Sequence, residues 1–556
     1  MIEIRDVSVR FAADAAPALD GVSLTFRPGE LVALVGANGS GKSTLASLLC
    51  ALRLSASGLV VVEGIDPARD AASRREVRRL VGLVRQHPAD QLVSSVVFDE
   101  VAFGPRNLGL SRDEIRRRVT RAIATVGLSD ALHADVSTLS GGQQQLLAIA
   151  GVLAMEPSYL VLDEASSMLD ASARPAHRAL LDHIAHEGGA GVIQVTHDPL
   201  EVLASDRVIV LDAGSVAFDG LPRELLVECA ALWDASLVQS SSVEALRAIL
   251  RLGYEPEAIA APLDPSKAVM WLLDAYRAGA VPVSDVQAVA DMLVPARLQS
   301  DVLAGLPLEL SDVAFSYGAG VRALAGITFG AQAGEVVLVA GASGSGKSTL
   351  ACVASGLYTP DAGTARVCGH APKTGDVGVA FQRPEDQLFC ETVRDELAFA
   401  PRNLGCSEGE VRARCVHAAK LVGIEDDLLD RYPFELSGGQ ARRVAIASIL
   451  ALDASAYILD EPTAGLDAAG RARLHCLARA CAQAGSAVIV ISHDLDEWMN
   501  EVDRVVLMAQ GSVVWEGEPR VLARDADAFA RAGLRPPLSC ELLQMLSAAT
   551  EGVDAR

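Results

Sequence analysis

Two lysines set in glycine-rich loops are the first candidates for chemistry. GANGSGKSTL (36–45) and GASGSGKSTL (341–350) both fit the pattern GxxxxGK[ST]. Backbone N–H groups of such a loop, at the start of a helix, surround phosphate oxygens, and the glycines let the backbone come close. The candidate ligands are Gly36, Asn38, Gly39, Ser40, Gly41, Lys42, Ser43 and Thr44 in one loop, and Gly341, Ser343, Gly344, Ser345, Gly346, Lys347, Ser348 and Thr349 in the other. Lys42 and Lys347 are placed to reach the β- and γ-phosphates of a nucleotide, and Ser43 and Ser348 to ligate Mg²⁺. Asp163 and Asp460 end apolar runs, where a carboxylate is costly unless it meets a metal or water beside one. Glu164 and Glu461 follow at once, each able to polarise a water attacking the γ-phosphate. Gln86 and Gln382 also end strand-like runs; an amide there can touch Mg²⁺ and the attacking water and withdraw when its loop moves. His197 and His493 close VIQVTHD and VIVISHD. Alone, each would more often be a satisfied core histidine; in this order, a hydrogen bond to the γ-phosphate is the better reading. The candidate metal sets are therefore Ser43, Gln86 and Asp163, and Ser348, Gln382 and Asp460.

One further motif has no use within its own half of the chain. LSGGQ occurs at 139–143 and again at 436–440, each time running into an apolar helical pattern. Ser140, Gly141, Gly142 and Gln143, like Ser437, Gly438, Gly439 and Gln440, thus offer another helix N-terminus for anions. If two domains meet head to tail, each SGG closes over the nucleotide held by the other's phosphate loop. That explains why one chain carries the loop twice: it supplies both halves of a sandwich around two ATP molecules.

The elements that must hold these residues repeat as well. ELVALVG and EVVLVAG read as buried strands ending at the phosphate loops, and STLASLLCAL and STLACVASGL as the helices that follow. Strands alternating with helices imply a mainly parallel sheet covered by helices, an α/β fold. The stretch between lysine and the next shared motif is shorter in the second copy, a surface-loop difference. The chain divides into a first domain at 1–222, a helical extension or linker at 223–305, a second domain at 306–520 and a short helical extension at 521–556. SVEALRAILRLGY and SKAVMWLLDAYRAG make the linker too apolar to be free, so it is expected to fold against the first domain.

Composition narrows the class. A formal charge of −23 argues against a broad contact with nucleic acid, which needs clustered Lys and Arg. The best basic stretches, SRREVRRL and RDEIRRRVTR, read as polar helix faces. The ten cysteines include no CxxC pair, so reduced, mostly buried thiols are expected and not a zinc site. No apolar stretch reaches the roughly 18 residues of a membrane helix, and the N-terminus reads as a strand and not as a signal peptide. A role at a membrane would need other chains to cross it.

In this order (phosphate loop, Gln, LSGGQ, Asp-Glu, SMLD or AGLD, His) the motifs resemble the nucleotide-binding domains of ATP-binding cassette (ABC) proteins. The resemblance implies a tandem P-loop ABC ATPase, each domain with a helical signature subdomain and a small C-terminal extension. It places Phe11 and Tyr317 where an aromatic ring stacks on adenine, and Asp170 and Asp467 between the two sites. A narrower resemblance follows each Gln. RQHPADQLVSSVVFDEVAFGPRNLGL (85–110) and FQRPEDQLFCETVRDELAFAPRNLG (381–405) look like the ATPases of energy-coupling-factor (ECF) importers and of cobalt and nickel importers. By that resemblance the chain is a peripheral subunit at the cytoplasmic face of the cell membrane, with ATP and Mg²⁺ as cofactors. Its partners would be a transmembrane coupling subunit and a small membrane protein binding a vitamin or metal ion. The alternatives are an F-type ABC translation factor, which usually has a basic balance and a long charged linker, and the fused ATPase of a ribose-type sugar importer, which often degrades one site. The copies also differ: Leu146 stands where the second has Arg443, and Ala165 where it has Pro462.

Overall fold

The computed structural model describes residues 1–11, 16–86, 88–166, 169, 173–254, 263–294, 306–318, 320–382, 387–463 and 466–551. Asp170, His87, the Arg-Pro-Glu-Asp stretch at 383–386 and the Ala-Gly pair at 464–465 lie outside them. By its contacts the chain forms two compact units, residues 1–239 with 246–271, and 240–245 with 272–556.

Among its described residues the first unit has nine strands: β1 Ile2–Val9, β2 Leu19–Phe26, β3 Leu31–Val35, β4 Ser57–Val62, β5 Val81–Val84, β6 Tyr159–Asp163, β7 Gly191–Val195, β8 Arg207–Asp212 and β9 Ser215–Gly220. Six of them form one sheet in the order β5-β6-β7-β3-β8-β9. The pairs from β5 to β8 are parallel, and only β9 runs antiparallel, against β8. Every residue of β3 and β7 is buried, as expected of strands covered on both faces. The other three strands make a separate antiparallel sheet, β2-β1-β4, whose β2 alternates buried and exposed positions.

This second sheet is the part that strand–helix alternation alone does not give. It packs Ile2, Ile4, Leu24 and Phe26 onto the helix Lys42–Leu49 and onto Val161 and Ile193 of the parallel sheet. On the opposite face, helices Val97–Asn107, Arg112–Thr125 and Gly141–Leu153 pack Val101, Ile123 and Leu147 against Leu162 and Val192. The phosphate-loop helix and the signature helix are thus seated on opposite faces of one rigid sheet.

The second unit repeats the plan with β10 Leu308–Tyr317, β11 Val321–Ala331, β12 Val336–Ala340, β13 Ala362–Val367, β14 Val377–Ala380, β15 Ala456–Asp460, β16 Ala487–Ile491, β17 Arg504–Ala509 and β18 Ser512–Gly517. The sheet orders are β14-β15-β16-β12-β17-β18 and β11-β10-β13. Helix Val283–Leu293 belongs to this unit and packs against its C-terminal helix Leu538–Glu551. Among the described residues no helix is long and apolar enough to cross a membrane.

Candidate nucleotide-binding sites

Each phosphate loop leaves the C-terminal end of a fully buried strand. Close backbone packing makes glycine obligatory at its ends. A Cβ on Gly36 would lie 2.1 Å from the Leu211 carbonyl oxygen, and one on Gly41 2.4 Å from that of Ala18. In the second loop Gly341 and Gly346 face the carbonyl oxygens of Met508 and Ala323 at 2.3 and 2.6 Å. Gly41 and Gly346 also take positive φ, 105° and 102°, and cap their helices without any side-chain bond. The first-turn N–H groups are therefore directed to an anion rather than to a capping side chain. Lys42 Nζ donates to the carbonyls of Gly36 at 2.7 Å and Ala37 at 2.9 Å, and Lys347 Nζ to those of Gly341 at 2.7 Å and Ala342 at 3.0 Å. Burial lowers the pKa of Lys347, while Glu461 and Asp460 pull it back up. In the first loop the Ser40 hydroxyl is buried without a partner. Asn38 and Ser343 lie exposed at the loop tips.

The carboxylates arrive on β6 and β15. Ser43 Oγ donates to Asp163 Oδ1 at 3.3 Å, and Ser348 Oγ to Asp460 Oδ2 at 2.9 Å. Burial raises the pKa of both aspartates, the adjacent glutamate adds to it, and the serine bond opposes it. A hydroxyl and a half-desolvated carboxylate, both hard oxygen donors beside a phosphate cradle, fit Mg²⁺. Glu164 and Glu461 follow at φ 52° and 48°, a left-handed backbone that few non-glycine residues adopt. Their N–H groups bond to Val195 O at 3.1 Å and Ile491 O at 2.8 Å, which holds the turn.

Around each glutamate the two units differ. In the first, Gln86 Nε2 donates to Glu164 Oε2 at 2.9 Å. His197 Nε2 lies 3.6 Å from Glu164 Oε1, with its Nδ1 3.4 Å from the Ser236 carbonyl. In the second, His493 presents Nδ1 to Glu461 Oε1 at 2.7 Å and adds its backbone N–H at 3.0 Å. Gln382 enters through its backbone, whose carbonyl accepts from Arg442 Nη2 at 2.8 Å. Aligned on LSGGQ, Arg442 matches Gln145, one position before the Arg443–Leu146 difference. There Arg443 reaches only the Gly423 carbonyl, at 3.5 Å.

The aromatic residues are placed unequally too. Phe11 is 62% exposed and carries the Arg53 guanidinium 4.3 Å above its ring. Tyr317 packs edge-on against Phe315, and its hydroxyl lies 3.1 Å from Thr349 Oγ1 on the phosphate-loop helix. Each signature serine caps its helix by a reciprocal bond: Ser140 N–H donates to Gln143 Oε1 at 2.9 Å and Ser437 N–H to Gln440 Oε1 at 3.0 Å. A Cβ on Gly141 or Gly438 would meet nothing within 4 Å, so that face stands open. Asp467 caps the helix Ala468–Gln483.

The sequence profile of the ABC transporter family matches residues 19–167 and 324–464, once over each phosphate loop. The chain belongs to that family. It is an ABC ATPase, a cassette enzyme that takes ATP with Mg²⁺. A relative in Bifidobacterium longum, named for an ABC transporter ATP-binding role, is 37% identical over 536 residues, 91% of this chain. The chain spans 64% of that relative's length, just under two thirds. A similarly named protein of Caldanaerobacter subterraneus is 32% identical over 563 residues, covering 96% of this chain and 94% of its own. A solved cassette from Clostridium perfringens, described as part of the ABC transporter complex cbiONQ, is 34% identical over 40% of this chain and 90% of its own, with a TM-score of 0.38.

Behind the first ABC site lies a buried carboxylate, Glu201, 2% exposed and accepting from Gln194 and Thr196. Burial, with Asp198 adding to it, pushes its pKa up to about 7. A raised carboxylate pKa means that stability is full below the unfolded value and falls as pH rises through the folded one. Glu201→Gln is expected to stabilise the fold at pH 8 by about 2–3 kcal/mol, and by progressively less toward pH 5. Melting curves of both proteins at the two pH values check this. A pH-independent difference would show that the charge is not the cause.

Proposed function

We propose that this chain is the ATP-hydrolysing energy-coupling subunit of an ECF-type importer, with residues 1–222 and 306–520 as its two cassettes. It works at the cytoplasmic face of the membrane, through a separate transmembrane coupling subunit and a small substrate-binding membrane subunit, and drives uptake of a vitamin or a transition-metal ion. In its closed state it holds two ATP. One lies among Lys42, Gln86, Asp163, Glu164 and His197, with Ser437, Gly438, Gly439 and Gln440 over it. The other lies among Lys347, Gln382, Asp460, Glu461 and His493, under Ser140, Gly141, Gly142 and Gln143. Asp170 and Asp467 lie between the sites, and Phe11 and Tyr317 stack on adenine. Mg²⁺, when bound, neutralises charge on the phosphates; Ser43, Gln86 and Asp163, or Ser348, Gln382 and Asp460, would hold it. The protein's part is to position the phosphates, to polarise the attacking water with Glu164 or Glu461, and to stabilise the γ-phosphate with His197 or His493.

One observation carries the importer reading. The residues shared by the two segments after each Gln build the same platform twice. Gln91 pins its loop by accepting from Arg85 N–H at 3.0 Å and donating to Leu83 O at 3.2 Å, and Gln387 repeats this with Phe381 at 3.1 Å and Val379 at 2.8 Å. Glu100 Oε2 accepts from the N–H groups of Val93 and Ser94, and Glu396 Oε2 from those of Phe389 and Cys390. The turn so formed displays Val93 in one unit and Phe389 in the other, and the helix after it Phe103 and Phe399, all exposed. Apolar side chains held outward beside a movable glutamine suit the docking of a partner's helix, which then receives closure as a rigid-body push.

Detergent purification of the tagged full-length chain from its native membranes tests the reading. The expected companions are a polytopic membrane protein and a small apolar one, and the small one points to the cargo. Ribosomal particles without any membrane protein would overturn it in favour of a translation factor.

A further inference from the structure

We infer that Arg442 is a positioning residue that ties the signature helix of the second cassette to both the glutamine segment and the catalytic-glutamate turn. Arg442 sits in the second turn of helix Gly438–Leu450. Its Nη1 donates to the carbonyls of Glu461 at 3.0 Å and Pro462 at 3.3 Å, and its Nη2 to that of Gln382 at 2.8 Å. All three acceptors are backbone atoms, so these bonds hold the course of the two segments and use neither the Glu461 nor the Gln382 side chain. A charged donor forking onto carbonyls gives stronger and more directional bonds than a neutral amide.

The first cassette shows what its absence leaves. Aligned on LSGGQ, the same position is Gln145, fully buried. Its Nε2 reaches only the Arg85 carbonyl, at 3.5 Å, and its Oε1 is buried without a partner. Gln145 therefore gives the first signature helix one weak bond to its glutamine segment and none to the glutamate turn, although that helix also packs against Pro88–Asp90. In the second cassette, displacement of Gln382 or Glu461 is carried along a continuous helix to Ser437 by a charged fork that Gln145 does not provide in the first.

This has a consequence for communication between sites, and here the inference rests on the proposed head-to-tail reading. Ser437 then covers the nucleotide at Lys42, while Gln382 and Glu461 serve the one at Lys347. Arg442 carries the stronger of the two links, and most of the cooperativity between the ATP sites passes through it.

The test uses the full-length chain, with Arg442→Gln, which copies the first cassette, and Arg442→Lys, which keeps the charge but not the fork. Arg442→Gln is expected to lower kcat about tenfold and to bring the Hill coefficient for ATP to 1, with KM changed less than about twofold. Arg442→Lys should recover part of the cooperativity. Backbone amide exchange around 381–382 and 461–462 should quicken in Arg442→Gln, a local readout that does not depend on how the cassettes pair. Unchanged exchange, or an unchanged Hill coefficient in a cooperative wild type, overturns the role of Arg442. A merely structural role would lower the melting temperature and the active fraction but leave the Hill coefficient of the remaining enzyme alone. A wild type with no cooperativity, whose rate equals the sum of the Glu164→Gln and Glu461→Gln rates, overturns the head-to-tail reading instead.

Discussion

Glu164→Gln should leave the protein able to bind ATP at both sites but lower turnover more than Glu461→Gln does. The carboxylate of Glu164 already organises its surroundings, with Gln86 Nε2 at 2.9 Å and His197 Nε2 at 3.6 Å. Its backbone is held at φ 52° by the turn, so the carboxylate is aimed and not merely present. An amide keeps the shape and loses the charge that draws a proton from water. At one site that loss is worth about 10²–10⁴ in rate. Glu461 performs the same task beside His493, whose Nδ1 lies 2.7 Å away. The sites differ in the signature above them. The Glu461 site is proposed to close under the first signature, which has Leu146 and Gln145 where the second has Arg443 and Arg442, and it is the slower of the two. Glu461→Gln therefore spares the faster site. Steady-state phosphate release of the two variants, with nucleotide binding measured separately, decides the matter. Equal residual turnover would remove the asymmetry.

How much of this could be seen in the sequence follows from what each feature is made of. ELVALVG and EVVLVAG are continuous apolar runs, and a strand buried on both faces has no other composition, so β3 and β12 and the loops after them are legible. The antiparallel sheet is not. Ile2–Val9 reads as a strand, but it pairs with Leu19–Phe26 on one side and, on the other, with Ser57–Val62, which lies beyond the phosphate loop and its helix. Local periodicity carries no such information. In the site, the residues proposed to touch nucleotide are legible because phosphate and Mg²⁺ restrict which residue types can serve. The residues that hold those residues are not. Ser236 offers His197 only a backbone carbonyl, which any residue has. Arg53 over Phe11 is an ordinary surface arginine until the fold brings it there. Arg442 has one visible signal, a pair of arginines after the second LSGGQ facing Gln-Leu in the first.

The other large effect concerns binding. Lys42→Ala and Lys347→Ala are each expected to remove one nucleotide from the protein, taking the stoichiometry from two toward one at ATP concentrations that saturate the wild type. Each ammonium is held inward by two loop carbonyls, 2.7 and 2.9 Å in the first loop and 2.7 and 3.0 Å in the second. Those bonds keep the loop curled with its N–H groups converging, and Lys347 Nζ also lies 3.4 Å from Ser345 Oγ. Truncation removes the charge and the brace together. Charge-assisted bonds of about 1.5–3 kcal/mol each, one to phosphate and part of the brace, give about a 10²–10³-fold loss of affinity at the altered site. Both lysines face carboxylates: Lys42 acts on Asp163, and the pKa of Lys347 is lowered by burial and supported by Glu461 and Asp460. The loss at Lys347 should therefore carry an electrostatic signature. Adding Glu461→Gln to Lys347→Ala should recover part of the affinity, because the carboxylates that the ammonium had balanced otherwise repel the incoming phosphates. Equilibrium titration with a fluorescent ATP analogue on single and double variants measures both effects. A Lys347→Ala protein that still binds two equivalents, or a double variant no tighter than the single, would show that the lysine is not the charge on which the cradle depends.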